Sequence, residues 1–288
     1  MCRKGMQVLT RRFYEYEKLI LLLIIFIFVG GIKPAFSQQI AKESSFTFGE
    51  NVSFEVFYNL GFLYVKAGNV NFQVDSLNFN NEKIYYFKNI GTSLPEYDWF
   101  FKVRDEYKSY AQINSLLPLE FYRENNEGDF HLKNKYIFDY DKNIITTETK
   151  NTNRAFSKDT IQITHDIFDV LSATYFVRNL DFTNCELNDS FPVSIIIDRE
   201  IHNLYIRYLG TEIIEDRNET KYDCIKFSTL LLEGTIFNAG ENIIVWVSND
   251  KNKVPILIEA KIIVGAIKVF LSDYSGLKYP FLSINLVD

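Results

Sequence analysis

From Ser45 onward, apolar and polar residues alternate with a period of two through the first half of the chain. The segment Val52 to Tyr58 shows this alternation, and polar clusters that favour turns, such as residues 78–82 and 125–128, separate it from later segments of the same kind. Successive side chains of a β-strand point to opposite faces of a sheet, so this period is typical of strands with one buried face. The pattern predicts an all-β, mainly antiparallel fold, whose strongly curved sheet forms an open barrel or two packed sheets.

The strand pattern of residues 103–110 also predicts which side chains share a face. One face is expected to carry Val103, Asp105, Tyr107 and Ser109, and the other Arg104, Glu106, Lys108 and Tyr110. Both faces carry charge, and a buried charge is costly unless it is paired. We therefore expect at least one face to contact water or to form ion pairs.

The stretch from Thr164 to Leu180 departs from the strand pattern. The residues that recur there at spacings of three and four are Ile167, Leu171, Thr174 and Val177. This spacing predicts one amphipathic helix over about residues 164–180, with Thr164 or Asp166 as its N-cap. A single helix with a wide apolar face needs a sheet to pack against, so we expect it to cover one open end of the sheet.

A long hairpin is predicted near the C-terminus, between Asn242 and Leu271. Its first strand is the apolar run Ile243 to Val247, its tip is the polar segment 248–253, and its second strand runs from Pro255 to Phe270. Aromatic and β-branched residues favour strands, and Asn and Asp favour turns. We expect Trp246 to anchor the first strand and Asp250 to satisfy backbone N–H groups of the tip.

The N-terminus resembles a secretory signal peptide. Basic residues precede the apolar run Leu19 to Val29, and Ala35-Phe36-Ser37 gives a small-x-small pattern for cleavage near Ser37. A permanent membrane anchor is the alternative, but about eleven apolar residues are fewer than the roughly 20 of a spanning helix. Because Cys2 lies in front of the run, we do not expect a lipoprotein. The sequence thus predicts a signal peptide at 1–37 and one periplasmic β-rich domain at 38–288, without a transmembrane segment.

The charge of the chain argues against nucleic acid as a partner. It has 31 Lys and Arg against 37 Asp and Glu, a net charge of −6 at pH 7, and loss of the basic signal peptide would make the domain more acidic. Nucleic-acid binding usually needs a basic patch, which is absent from the sequence. Cys185 and Cys224 remain after cleavage, and two separate thiols or a disulfide are both compatible with an oxidising compartment.

No sequence motif identifies a catalytic, metal or cofactor site. The three histidines, His131, His165 and His202, lie more than thirty residues apart, without a close pair that would indicate a metal site. Nucleophile elbows and phosphate-binding glycine loops are also absent. We therefore predict a protein without catalytic residues or cofactors. An alternative is a cell-wall glycan hydrolase or lyase, which would need two of Asp105, Glu106, Asp198 and Glu200 within about 5–10 Å of each other.

Large aromatic residues are more frequent than one buried sheet face requires, at 16% of the chain. One interpretation is a thick core with aromatic pairs across strands. The other is a curved sheet whose concave face holds an apolar ligand in a cavity of at least about 300 Å³. The candidate ligand or partner residues under this interpretation are Tyr86, Trp99, Phe101, Tyr107, Phe121 and Trp246.

Several short phrases, found in the same order, resemble the periplasmic family called domain of unknown function 3108. They are Gly49-Glu50, Gly61-Phe62, Ala67-Gly68, Arg104 to Tyr110, Leu117-Pro118, Asp169 to Arg178, and Trp246 to Asp250 followed by Val254-Pro255 and Gly265. The chain departs from the family pattern at Val170, where a proline is expected. The resemblance spans about residues 45–275 and implies an exported β-rich envelope domain without an established activity, so it assigns no catalytic residue.

The sequence thus favours an exported, non-enzymatic protein that binds an apolar envelope component, such as a lipid or lipoprotein acyl chain, or a membrane-protein partner. The Trp246 to Pro255 hairpin is also similar to that of lipoprotein-carrier half-barrels, a likeness at the level of the fold only. The alternative is an assembly scaffold that docks an envelope protein through a sheet edge or the helix, which would expose a large apolar patch.

Overall fold

A computed structural model describes residues 43–60, 63–231, 240–261 and 265–282. The predicted signal peptide lies outside these residues. The described chain forms fourteen strands and one α-helix, α1, at Val170–Arg178. The strands are β1 Asn51–Leu60, β2 Leu63–Phe79, β3 Glu82–Ser93, β4 Arg104–Ala111, β5 Pro118–Glu127, β6 Phe130–Asp139, β7 Ile144–Asn151, β8 Arg154–Gln162, β9 Ser190–Ile197, β10 Glu200–Glu215, β11 Lys221–Leu231, β12 Gly240–Ser248, β13 Pro255–Lys261 and β14 Ala266–Ser275.

All fourteen strands belong to one antiparallel sheet. The order is β8-β7-β6-β5-β4-β3-β2-β1-β14-β13-β12-β11-β10-β9, so β1 and β14 join two meanders in the middle. The sheet is not closed by pairing of β8 with β9. Its edges nevertheless approach each other, because Arg199, at the tip of the β9–β10 hairpin, lies 3.8 Å from Asp159 on β8. The predicted all-β, curved and open fold is confirmed.

The helix is shorter than predicted, because residues 163–168 are not helical. The backbone of Ile163 bonds to Asn143, and Phe168 forms a parallel bridge with Ile195 of β9. Neither Thr164 nor Asp166 is the N-cap. That position is Asp169, whose carboxylate accepts hydrogen bonds from the first turn. The family's proline would stand at Val170, the first helical position, where the fixed backbone angle of proline suits a helix.

The predicted C-terminal hairpin contains three strands rather than two. Its first turn is as predicted, since Asp250 Oδ1 accepts hydrogen bonds from the backbone of Asn252 and the hydroxyl of Ser248. The apolar run after Pro255, however, divides into β13 and β14, which pair with each other. The sequence there shows only Gly265 as a turn residue, too weak a signal to divide a continuous β-branched run.

The main core lies between the two meanders and α1. In the first meander it consists mostly of rings, including Tyr85, Phe87, Phe121 and Tyr136, whereas in β9 to β12 it consists largely of aliphatic residues. Two smaller clusters lie apart from this core, and both include Phe281 of the C-terminal segment as a partly buried contact. Residues of both meanders pack in one cluster, which requires the sheet to curve around the helix.

Candidate functional site: an apolar cavity beneath the helix

An apolar cavity of about 330 Å³ lies between α1 and the inner face of β9 to β13. Its lining is formed largely by aliphatic side chains of these five strands and the helix. The lining includes Ala173, Val177, Ile195, Ile206, Val245 and Lys253. The volume is in the lower part of the range of about 300–1,000 Å³ that is usual for ligand pockets. An apolar cavity of this size can hold an apolar ligand.

The helix separates the cavity from a solid part of the core. Ala173 and Val177 point to the cavity, whereas Tyr175 is stacked on Phe87 with ring centroids 4.0 Å apart and also contacts Phe46. Residues three, four or seven positions apart share one side of a helix. One stripe of α1 therefore faces a filled interior and the neighbouring stripe faces a space.

Asp169 fixes the N-terminal end of the helix to the sheet. Its buried carboxylate accepts hydrogen bonds from Ser109 Oγ of β4 at 2.6 Å and from the backbone N–H groups of Leu171 and Ser172. Burial raises the pKa of Asp169 to about 6, although these hydrogen bonds act in the opposite direction. The N-cap thus joins α1 to the inner face of β4.

Arg178 fixes the C-terminal end. Its guanidinium binds both carboxylate oxygens of Glu50, and Nη2 donates to the carbonyl oxygen of Asn252 at 2.8 Å. Arg178 is 5% exposed and Glu50 1%. Burial disfavours the charge on Arg178, but Glu50 outweighs this effect, so that the pKa of Arg178 lies above its ordinary value. Neither group has another ion-pair partner in direct contact among the described residues.

Three of the phrases that suggested the family meet at these two anchors. Ser109 comes from the phrase 104–110, Asp169 and Arg178 from the helix phrase, and Glu50 from the phrase that precedes β1. Asn252 lies two residues after the Trp246 to Asp250 phrase. These side chains hold the helix over the cavity, so the physical role of these three phrases is to position α1.

Lys253 lies at the edge of the cavity. It also lines a neighbouring polar cleft that contains Asp181 and Asp250. Burial lowers the pKa of Lys253, an effect opposed by Asp181. Of the two cations in the cavity wall, Arg178 is paired with Glu50, whereas Lys253 forms no ion pair with a carboxylate of the described residues. The boundary between apolar cavity and polar cleft suits a ligand with one apolar and one polar end.

A polar network occupies the inner face of β4 and β5, away from this cavity. Asn125 Nδ2 lies within 3.1 Å of oxygen atoms of Asp105, Tyr107 and Glu127. Burial raises the pKa of Asp105 to about 6, and the nearby Glu127 carboxylate contributes to the increase. The predicted division of this strand is confirmed, because Asp105 belongs to this interior network while Glu106 pairs with Lys88 and Lys108 on the opposite face.

We expect the Asp105→Asn variant to be more stable than the wild type above pH 6, because the half-buried carboxylate is then charged. The gain should be only about 1 kcal/mol, because solvent still reaches this carboxyl group. With a pKa near 6 in the folded state and about 3.9 in the unfolded state, Asp105 stabilises the fold at low pH, and this contribution is lost as the pH rises through 6. Thermal unfolding from pH 4 to 8 measures the difference between the two proteins.

The Glu106→Gln variant provides the control for this experiment. The pKa of Glu106 is lowered: Lys108 and Lys88 outweigh the opposing effect of burial. Glu106 therefore stabilises the fold above its unfolded-state pKa, and its removal should give a small effect of opposite sign. If the difference in stability between the wild type and Asp105→Asn does not change with pH, the raised pKa of Asp105 is contradicted.

Of the six aromatic residues that the sequence singled out, the structure brings together Tyr107 and Phe121, whose ring centroids lie 6.3 Å apart. Tyr107 and Phe121 lie in the first meander's interior, Tyr86 lies on the opposite face of β3 beside Tyr110, and Trp246 is buried in a separate cluster with its Nε1 donating to Glu212. Trp99 and Phe101 are exposed in the β3–β4 connection. None of the six lines the 330 Å³ cavity.

Of the carboxylates of the hydrolase alternative, Asp105 and Asp198 both lie near Arg123. Asp105 and Glu106 point to opposite faces of β4, so these two cannot act as a pair. Asp198, at the tip of the β9–β10 hairpin, is bound by Arg123 at 3.0 Å, and Glu200 is exposed. The carboxylate that the structure does place near Asp105 is Glu127.

The remaining titratable groups give no further site in the described part of the chain. His131 contacts Asn126, and His165 contacts Ser194. No group of three or more potential ligand side chains is gathered there for a metal ion. Cys185 and Cys224 are separate thiols. Among the described residues, no helix has the length and apolar character needed to cross a membrane.

A solved structure and a family model are similar to this chain. The structure is the crystal structure of a beta-barrel-like protein of the domain of unknown function DUF1849 from Brucella abortus, with a TM-score of 0.53 and 6% sequence identity over 81% of this chain and 100% of that chain. At this identity the likeness shows the fold alone: this chain is a barrel-like, all-β protein. The family model, described as "Protein of unknown function (DUF3108)", matches residues 53–272. The chain belongs to the DUF3108 family, as its phrases predicted. No curated protein matches it.

Proposed function

We propose that this protein is an exported, non-enzymatic envelope protein that binds an apolar chain, such as the acyl chain of a lipid or lipoprotein, in the cavity beneath α1. The cavity carries this proposal, because its wall is mostly apolar and its one cation without a carboxylate partner in the described chain, Lys253, lies at the edge. The apolar part of the ligand would lie against Ala173 and Val177, and its polar end near Lys253. The signal-peptide pattern supports a periplasmic location.

The first test is native mass spectrometry of the protein purified from its own cell envelope. We expect a co-purified lipid at one molecule per chain. Hexadecanoate and hexadecanol are then compared as added ligands, through their displacement of a fluorescent apolar dye. Both should bind, and the acid more tightly if its carboxylate meets Lys253.

Filling the cavity should abolish this binding. We expect Ala173→Trp to weaken hexadecanoate binding at least tenfold, because the indole ring would occupy the space that the acyl chain needs. The measurement is dye displacement at equilibrium, with thermal unfolding to confirm the fold. Val177→Phe is a milder second variant if the tryptophan destabilises the protein.

The matched control is Ala155→Trp, the same substitution at an exposed position of the edge strand β8. It should bind hexadecanoate like the wild type. Binding that persists in folded Ala173→Trp and Val177→Phe would place the ligand elsewhere, and absence of binding in the wild type would refute the proposal.

A further inference from the structure

A cluster of exposed aromatic residues stands at the β3–β4 connection, far along the sheet from the cavity. We call residues Tyr97 to Phe101 the aromatic turn. Trp99 is 84% exposed and Phe100 79%, and Tyr97 and Phe101 are also exposed. The other large exposed apolar side chains among the described residues are separated from one another in sequence. Single exposed apolar residues are common, but a contiguous group indicates an interaction site.

The aromatic turn has a well-held base. The backbone N–H groups of Phe100 and Phe101 both donate to the carbonyl oxygen of Tyr97, at 2.9 Å. Asp98 accepts hydrogen bonds from Ser93 Oγ at 2.6 Å and from Arg104 Nη1 at 3.2 Å. The backbone is therefore fixed from both flanking strands, and little conformational entropy remains to be lost when the rings bind something.

Phe101 also rests against the neighbouring hairpin. A Cβ atom at Gly128 would lie only 3.2 Å from Cε2 of its ring, and Gly128 N donates to the carbonyl oxygen of Lys102 at 2.8 Å. The β5–β6 turn thus supports the ring that is least exposed of the three consecutive aromatics. Trp99 and Phe100 are left to project into solvent.

The charges around the turn are balanced. Asp98 is paired with Arg104, and the flanking Glu96 and Lys102 have opposite signs. The outer face of the strands that carry the turn is polar, with ion pairs from Glu106 to Lys88 and Lys108. The apolar surface is therefore limited to one projecting turn and carries no net charge of its own.

We propose that the aromatic turn inserts into the interfacial layer of a zwitterionic phospholipid bilayer and holds the protein at the membrane surface. Tryptophan and tyrosine prefer this layer, because their rings are apolar and their N–H and O–H groups still reach water. A protein partner usually buries about 800 Å² on each side, with aromatic anchors surrounded by further contacts. Here the anchors stand at a tip beside ion-paired strands, which suits a soft apolar layer better than a second protein surface.

The test uses the full exported chain and vesicles of phosphatidylcholine. The sequence has two tryptophans, of which Trp246 is buried at 7% exposure and Trp99 is not. We expect the emission of Trp99 to shift to shorter wavelength on vesicle addition and to be quenched by lipids brominated in their acyl chains. The protein should co-sediment with the vesicles, and Trp99→Ser combined with Phe100→Ser should lower this binding at least tenfold.

The matched control is Phe156→Ser, which removes a 61% exposed aromatic residue from the edge strand β8. It should bind vesicles like the wild type, and all variants should unfold at similar temperatures because the changed side chains are exposed. Equal loss in the control, unchanged binding of the double variant, or no binding by the wild type would overturn the proposal. Binding that requires anionic lipid and is lost at high salt would also overturn it. So would a result in which the protein binds delipidated envelope proteins but no vesicles. The outcome does not depend on whether the cavity holds a ligand.

Discussion

Replacing Arg178 with methionine should lower the free energy of unfolding by about 3–5 kcal/mol, the cost of breaking a buried ion pair by removing one partner. The substitution leaves Glu50 buried at 1% exposure, without the guanidinium that binds both of its oxygens. It also removes a hydrogen-bond donor from the carbonyl of Asn252. Urea unfolding at pH 7, followed by circular dichroism, measures the loss.

Two further variants separate the pair from its surroundings. Glu50→Gln combined with Arg178→Met should be more stable than Arg178→Met alone, because no uncompensated charge remains buried. Lys158→Met breaks an exposed pair with Glu148 and should cost less than about 1 kcal/mol. If Arg178→Met costs no more than Lys158→Met, the pair does not hold the C-terminal end of the helix.

The sequence predicts the sheet well because the strand signal is local. Alternation at Asp105 and Glu106 assigns each side chain to its face, and the structure confirms both assignments. The errors occur where a long-range contact decides. Ile167 fits the helical spacing, but the residue after it, Phe168, is drawn into a parallel bridge with Ile195. A partner 27 positions away cannot be read from the periodicity of residues 164–180.

The aromatic residues that the sequence singled out do not line the cavity, for a physical reason. Abundant rings suggested an aromatic ligand pocket, but Phe121 and Tyr136 fill the interior of the first meander themselves, with ring centroids 5.6 Å apart. The cavity occurs where smaller aliphatic residues, such as Ala173 and Val177, leave space. A signal for it exists in the sequence: small or aliphatic residues repeat along one stripe of the helix and along β9 and β12. Whether the helix stripe packs against β9 and β12 or leaves a space depends on how the sheet curves, which the local sequence does not determine.

The family phrases also have a different role from the one that a search for catalytic residues would give them. Glu50, Asp169 and Arg178 are ionisable and buried, which is common at active sites. Each is nevertheless satisfied by a partner in another phrase, and together they fix the helix at both ends. Their residue types alone would suggest a catalytic role. Their contacts instead show that they hold α1 over the cavity.

The stripe of α1 that faces the first meander should determine stability, while the stripe that faces the cavity should determine binding. Tyr175 packs against both Phe46 and Phe87, and its side chain belongs to the filled side. The helix can therefore be weakened from one side without changing the surface offered to a ligand. Such a variant tests whether ligand binding in the cavity can be separated from the contribution of the helix to stability.

We expect Tyr175→Ala to lower the free energy of unfolding by about 3–5 kcal/mol, the usual cost of truncating a buried aromatic residue, while the folded protein binds hexadecanoate within about threefold of the wild type. Urea unfolding and dye displacement below the unfolding transition give the two values.

Two control variants should each cost less than about 1.5 kcal/mol. They are Tyr175→Phe, which keeps the ring, and Tyr110→Ala on the opposite face of the sheet. Loss of binding in folded Tyr175→Ala would mean that the cavity depends on the exact placement of α1, and a loss of stability below about 1 kcal/mol would mean that the ring stack does not hold the helix.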